Sequence, residues 1–206
     1  PKGYRYGCLM WQGIGVNIHR NPLGGRNFEY YSEDPLITGL MGAATTLKVQ
    51  QKGDIGAIVK HLAANNQETA RGSNDSRVSE RALREIYLKG FEIVLKVSDP
   101  VSVMTSYNKI NGFSSWSYSE MLTDVIRKEW NWQGMYMSDW DSVGTNTLKM
   151  VLSGHNIKMG GEPASRVYDD IVKGYDEGKI TREVLIENAK YVLSALLRSL
   201  NKEEKI

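Results

Sequence analysis

The chain is poor in the residues that make disulfides and metal sites. Its 206 residues hold one cysteine, Cys8, and three scattered histidines, His19, His61 and His155. A lone cysteine forms no internal bridge or cysteine cluster, and histidines so spaced lack the pairing of a metal site. The chemistry is therefore expected to use no metal and no other cofactor. No run approaches the ~20 apolar residues of a membrane span, and Pro1-Lys2-Gly3-Tyr4 lacks the apolar stretch of a secretory leader. Localisation stays open. Nor does one charge dominate: 26 Lys and Arg face 24 Asp and Glu, interspersed, so nothing argues for nucleic acid or an anionic membrane as partner. A neutral partner fits better. The dinucleotide fingerprint is also missing, because Gly13 and Gly15 begin a G-x-G-x-x-G pattern that Ile18 breaks, and no phosphate-loop lysine follows a glycine run.

What is present suits a packed α/β core, with 41% hydrophobic and 24% charged residues. Strands are predicted over residues 9–18, 55–61, 101–107 and 134–139, with a weak fifth at 155–159. Helices are predicted over 35–52, 79–97, 119–130, 142–152, 165–178 and 181–200, and a polar, Gly-rich loop over 19–34. Ser79 followed by Glu80-Arg81-Ala82 reads as a capping-box start, and Pro100 ends that helix. The last helix carries Val184, Leu185, Ala189, Val192, Leu193 and Leu196 on one face. Residues 1–200 read as one unit and 201–206 as a charged, solvated tail. Strict alternation of strand and helix implies βαβ units around a parallel sheet, either a barrel or an open doubly wound sheet. A full barrel has eight strands in about 250 residues, so with at most five strands this chain would be part of one.

The apolar run led by Gly134 and closing on Ser138-Asp139-Trp140 puts a lone carboxylate at a strand's C-terminal tip, where β/α barrels keep their chemistry. Asp139 is the leading catalytic candidate. An N-cap for a helix starting near Ser142 is the bland alternative, and Asp141 suits that cap better. Other strand ends are polar too: Lys60 and His61, Tyr107 and Asn108, and Arg26 with Glu29 in the loop after the first strand. Any one of them could be a solvated strand end. Together they suit a pocket for a hydroxyl-rich ligand, with Trp140 or Trp116 covering the apolar face of a sugar ring.

Five segments carry a more specific signal. They are Gly15-Val16-Asn17-Ile18-His19-Arg20-Asn21-Pro22-Leu23, then Gly25-Arg26-Asn27-Phe28-Glu29-Tyr30-Tyr31-Ser32-Glu33-Asp34-Pro35, Lys60-His61-Leu62-Ala63-Ala64-Asn65-Asn66-Gln67-Glu68, Met104-Thr105-Ser106-Tyr107-Asn108 and Ser138-Asp139-Trp140. In order and spacing they closely resemble the barrel domain of family 3 glycoside hydrolases, β-glucosidase branch. The resemblance implies a (β/α)8 TIM-type barrel of which only the middle and C-terminal βα units are present here. It also implies retaining hydrolysis of terminal β-D-glucosyl, or related β-xylosyl, residues through a covalent glycosyl-enzyme on Asp139. Arg26, Lys60, His61, Met104, Tyr107 and Trp140 match the positions that hold the glycone. A cationic Lys60–His61 pair would keep Asp139 ionised. Leu62-Ala63-Ala64-Asn65 stands where the hexosaminidase branch carries a His-containing loop. The partners implied are a β-glucoside or oligosaccharide, the remainder of the barrel, and an α/β sandwich domain that supplies the acid/base. A non-catalytic carbohydrate-binding or structural module built on the same barrel is the rival reading.

Overall fold

The computed structural model describes residues 8–51, 55–144, 146–160 and 163–200, so the tail expected at 201–206 lies outside the described residues. Strand β1 (Met10–Gly15) leads through a polar loop to α1 (Pro35–Gln51) and β2 (Gly56–Leu62). A long excursion containing the short β3 (Asp75–Ser76) precedes α2 (Glu80–Ala82), a π-wound stretch (Leu83–Tyr87) and α3 (Lys89–Ser98). Then come β4 (Ser102–Thr105), the hairpin β5 (Lys109–Ile110) and β6 (Phe113–Ser114), a π-wound helix (Glu120–Glu129) and β7 (Met135–Met137). Helices α4 (Thr147–Leu152), α5 (Ala164–Asp176) and α6 (Arg182–Leu200) follow.

β1, β2, β4 and β7 lie side by side in that order, all parallel. A doubly wound sheet reverses its strand order partway. This one does not, so right-handed crossovers put the connecting helices on one face, the winding of a TIM-type barrel. The expected fold class is the observed one, as an arc of such a barrel.

Two-residue periodicity sorts the strand residues. Ala57 and Val59, Val103 and Tyr136 join Ile14, Val16, Phe91 and Val94 in the core between sheet and helices. Ile58, Met104 and Met137 form a separate buried layer on the opposite, inner face. Two residues further along the same face come Lys60 and Asp139. Tight packing holds α1 in place: a Cβ on Gly42 would stand 2.7 Å from Val16 and 2.9 Å from Val94.

Several boundaries differ from expectation. The weak fifth strand is a single parallel bridge, Met137 to Ile157, extended by bonds from Ser138 N to Ile157 O and from Asp141 N to Met159 O. α4 starts at Thr147, five residues late, because Asp141 (φ 60°) and Gly144 (φ 55°) are left-handed and cannot continue a helix. Neither Asp139 nor Asp141 caps it: the capping position is Asn146, which makes no side-chain capping bond. Ser79 Oγ accepts from Ala82 N at 3.2 Å, but alanine offers no carboxylate in return, so the capping box is only half made. On α6, Ala189 and Leu193 face solvent, and the buried stripe instead contains Asn188 and Ala195. Asn188 belongs there because it bonds Asn156 and the Val151 carbonyl. The sheet β3–β5–β6 occupies what reads as loop, its strands being too short to show a period.

Candidate active site

The polar residues gather where the parallel strands end. The tip of β2 is tied to the end of β1 by Asn17, whose Nδ2 donates to His61 O and whose Oδ1 accepts from His61 N, both at 2.9 Å. Gly15 leaves room for the next loop, since a Cβ there would stand 2.7 Å from the Tyr30 ring and 2.8 Å from Glu29 O. That loop ends in a short turn, Asn27–Glu29, held by His19 Nε2 against Asn27 O at 3.0 Å. Arg26, Glu29 and Tyr30 are thereby laid over the strand ends. The Lys60–His61 and Leu62–Ala63 peptide bonds are cis.

Asp139 follows β7 and is 6% exposed. Its Oδ1 accepts from Trp140 N at 2.8 Å, whereas Oδ2 has no hydrogen-bond partner among the described residues. Burial pushes this carboxyl above the usual range, opposed by the Trp140 amide, by Arg26, by the Tyr107 phenol and by Arg71. His61 Nε2 lies 3.8 Å from Oδ2. Burial, then the charges of Arg26, Lys60 and Arg71, push His61 far below its ordinary value, so it is neutral and the contact is not an ion pair. The expected cationic Lys60–His61 pair is therefore corrected. Lys60 Nζ is held by Glu29 Oε2 at 3.1 Å, and the cations acting on Asp139 are arginines.

Tyr107 and Trp140 flank the carboxylate's loop. The Arg71 guanidinium lies 4.1 Å from the Tyr107 ring centroid, and burial, then Asp139, raise the phenol's pKa. Trp140 is 53% exposed, an open aromatic face at the mouth. Met104 is buried with Ile58 and Met137, one layer below Lys60 and Asp139. Arg26 bonds Glu29 through Nε and lies 4.0 Å from Glu68, which in turn holds Arg71 at 2.6 Å and Asn65 at 3.2 Å. Sequence reading named Glu29 beside Arg26 but assigned no role to Arg71 or Asn17, and none to the anchoring of the cations by Glu29 and Glu68. Only the spacing Glu68-x-x-Arg71 hinted at the second of those anchors. Among the described residues no cluster of His, Cys, Asp or Glu could hold a metal, and no helix is long and apolar enough to cross a membrane.

An inward carboxylate amid fixed donors at the C-terminal rim of a β/α barrel defines a polar-ligand site of the kind that carries chemistry in such barrels. The family model described as the glycosyl hydrolase family 3 N-terminal domain matches residues 15–195, and the chain belongs to that family. It is 46% identical over 187 residues to a protein named beta-glucosidase B from Emericella nidulans, covering 90% of this chain and 22% of that protein. It is 47% identical over 169 residues to an exo-alpha-(1->6)-L-arabinopyranosidase from Bifidobacterium breve, covering 82% and 22%. The structure of beta-glucosidase 3B from Thermotoga neapolitana in complex with glucose superposes with a TM-score of 0.90 at 44% identity, over 96% of this chain and 28% of that one. The chain thus spans less than a third of the length of each of these relatives.

Proposed function

We propose that this chain carries the nucleophile and glycone-binding face of a retaining β-glucosidase. The observation that carries the reading is Asp139 Oδ2, buried, without a hydrogen-bond partner among the described residues, and its carboxyl influenced by Arg26, Arg71, Tyr107 and the adjacent His61. A buried carboxylate oxygen without a partner costs free energy, and sites that do chemistry are where such costs persist. Oδ2 attacks the anomeric carbon of a terminal β-D-glucosyl unit, forming the C–O bond of a glycosyl ester while the bond to the aglycone oxygen breaks. An acid protonates that oxygen. The conjugate base then takes a proton from water, whose oxygen displaces Asp139, and sugar of retained configuration leaves. Arg26, Lys60 and Arg71 donate to ring hydroxyls, neutral His61 donates or accepts, and Trp140 covers the apolar ring face. Glu68 does not suit the acid's role, because Arg71 and Asn65 occupy its oxygens. An α/β sandwich domain is the proposed source. The names of the relatives support a glycosidase, and a β-xyloside, which lacks only the exocyclic hydroxymethyl, fits the same contacts.

The test is trapping. The full-length polypeptide carrying this sequence, treated with a 2-deoxy-2-fluoro-β-glucoside bearing a good leaving group, is expected to become labelled on the peptide containing Asp139. A label on another residue, or turnover with inversion, overturns the assignment. Glucose binding without any turnover would establish the non-catalytic module instead.

A further inference from the structure

The two glutamates that face the donors of this site take no part in the chemistry above, yet they are its most heavily engaged carboxylates. Each oxygen of Glu29 serves a different cation: Oε1 accepts from Arg26 Nε, and Oε2 pairs with Lys60 Nζ at 3.1 Å. All three side chains are largely covered, at 17%, 17% and 15% exposure, so solvent screens them far less than a surface pair. Burial would raise the Glu29 carboxyl, but its bonds to Arg26 and Lys60 hold it below the usual range. The carboxylate itself is fixed from the backbone side. Its turn is closed by Glu29 N to Arg26 O at 3.1 Å and Tyr30 N to Asn27 O at 3.2 Å, and Asn27 Nδ2 anchors it to Asn21 O at 2.8 Å.

We infer that Glu29 is a positioning residue: it sets Arg26 and Lys60 in one geometry and so prepares the glycone donors before sugar arrives. This rests on the glycone role given to those cations above. Lysine and arginine are rich in rotamers, and an unanchored pair would lose that freedom only on binding. Anchoring consumes little donor capacity. Lysine has three N–H donors and arginine five, and Glu29 takes one from each, leaving the rest for hydroxyls. Glu68 extends the arrangement to Arg71, so a carboxylate backs each cation of the cluster.

A double-mutant cycle read by glucose binding tests this in the full-length polypeptide, using calorimetry so that no turnover is needed. Glu29→Gln and Lys60→Met are each expected to weaken glucose binding about tenfold, and the double variant by far less than the product of the two. Glu29→Asp, which keeps the charge on a shorter stem, should fall between wild type and Glu29→Gln. If Glu29→Gln fails to fold, Glu29→Asp takes its place in the same cycle. Multiplicative losses, or unchanged binding in Glu29→Gln, overturn the inference. Non-multiplicative losses without a label on Asp139 would leave it standing while the hydrolase reading falls, and a label with multiplicative losses does the reverse. Absence of glucose binding by the unmodified protein overturns both.

Discussion

His61 and Asp139 meet with Nε2 and Oδ2 3.8 Å apart, a neutral imidazole beside a carboxylate oxygen that has no hydrogen-bond partner among the described residues. The imidazole is held in place, not charged. Its backbone is bracketed by Asn17, and Tyr30 Oη lies 3.3 Å from Nδ1. A neutral ring can present either a donor or an acceptor to a hydroxyl, which a protonated one cannot. Because the ring carries no charge, it draws Asp139 into no ion pair.

The buried histidines should make the fold sensitive to mild acid. An unfolded histidine binds a proton below about pH 6.5. In the fold, burial pushes His155 down to about 3 and His61 far below its ordinary value. Between those limits the unfolded state binds more protons, so stability falls as pH drops from 6.5, and for His155 it keeps falling to about 3. Each histidine contributes a slope of ~1.4 kcal/mol per pH unit. Denaturant midpoints at pH 6.5 and 5.0 should therefore differ, and less so in His155→Gln. An identical drop in that variant would exclude His155 as a contributor.

Lys60 and His61 are neighbours in sequence but should respond differently to substitution. Lys60 is 15% exposed with its ammonium on Glu29, which Arg26 also holds, so Lys60→Met should lower thermal stability only modestly while sugar binding weakens. His61 is 1% exposed, and His61→Ala should cost about 2–5 kcal/mol through the cavity it leaves. Burial, which a strand-end position in the sequence does not disclose, sets the two residues apart. Equal melting temperatures for His61→Ala and Lys60→Met would count against this distinction.

The parts of the site that sequence disclosed are those set by strand periodicity. Lys60 and Asp139 each stand two residues past an inner-layer residue, Ile58 and Met137, so their face followed from the pattern. Arg71 and Glu68 come from the long excursion after β2, where no period operates, and Arg71 takes its place through contacts distant in sequence, over the Tyr107 ring and toward Asp139. His61 looked like a cation because residue type is visible in a sequence and burial is not. The late start of α4 was hidden for a related reason: nothing in the letters around Asp141 announces a left-handed backbone.

Asn17 should be needed for both stability and binding. Its amide completes the His61 N–H and C=O in a buried setting, doing between β1 and β2 what a strand residue would do. Asn17→Ala leaves both groups unpaired, a loss of about 2–4 kcal/mol, and frees the strand end that carries Lys60. Asn17→Asp should also destabilise, because a carboxylate cannot donate to the His61 carbonyl. Thermal unfolding and glucose titration of the two variants check this, and wild-type values for Asn17→Ala would show the bonds to be dispensable.

Asp139 should trade stability for activity. Its carboxyl is raised by burial, so the charged form is disfavoured in the fold relative to the unfolded chain, and among the described residues Oδ2 has no compensating hydrogen bond. Asp139→Asn removes the charge while keeping the shape and the Oδ1 acceptor for Trp140 N. The variant should lose several orders of magnitude in kcat, since an amide does not attack the anomeric carbon, and still bind glucose through the remaining donors. It should also melt higher than wild type at neutral pH. Because folded Asp139 takes up its proton at a higher pH than the unfolded carboxyl, wild type recovers stability as pH falls through the raised value. The advantage of Asp139→Asn must therefore shrink on acidification and vanish once both states are protonated. Melting curves of the two proteins from pH 7 to pH 4 test the argument: a constant gap would mean that the carboxylate's charge is not the source of the cost, and a lower melting temperature at pH 7 would mean that the charge stabilises the fold.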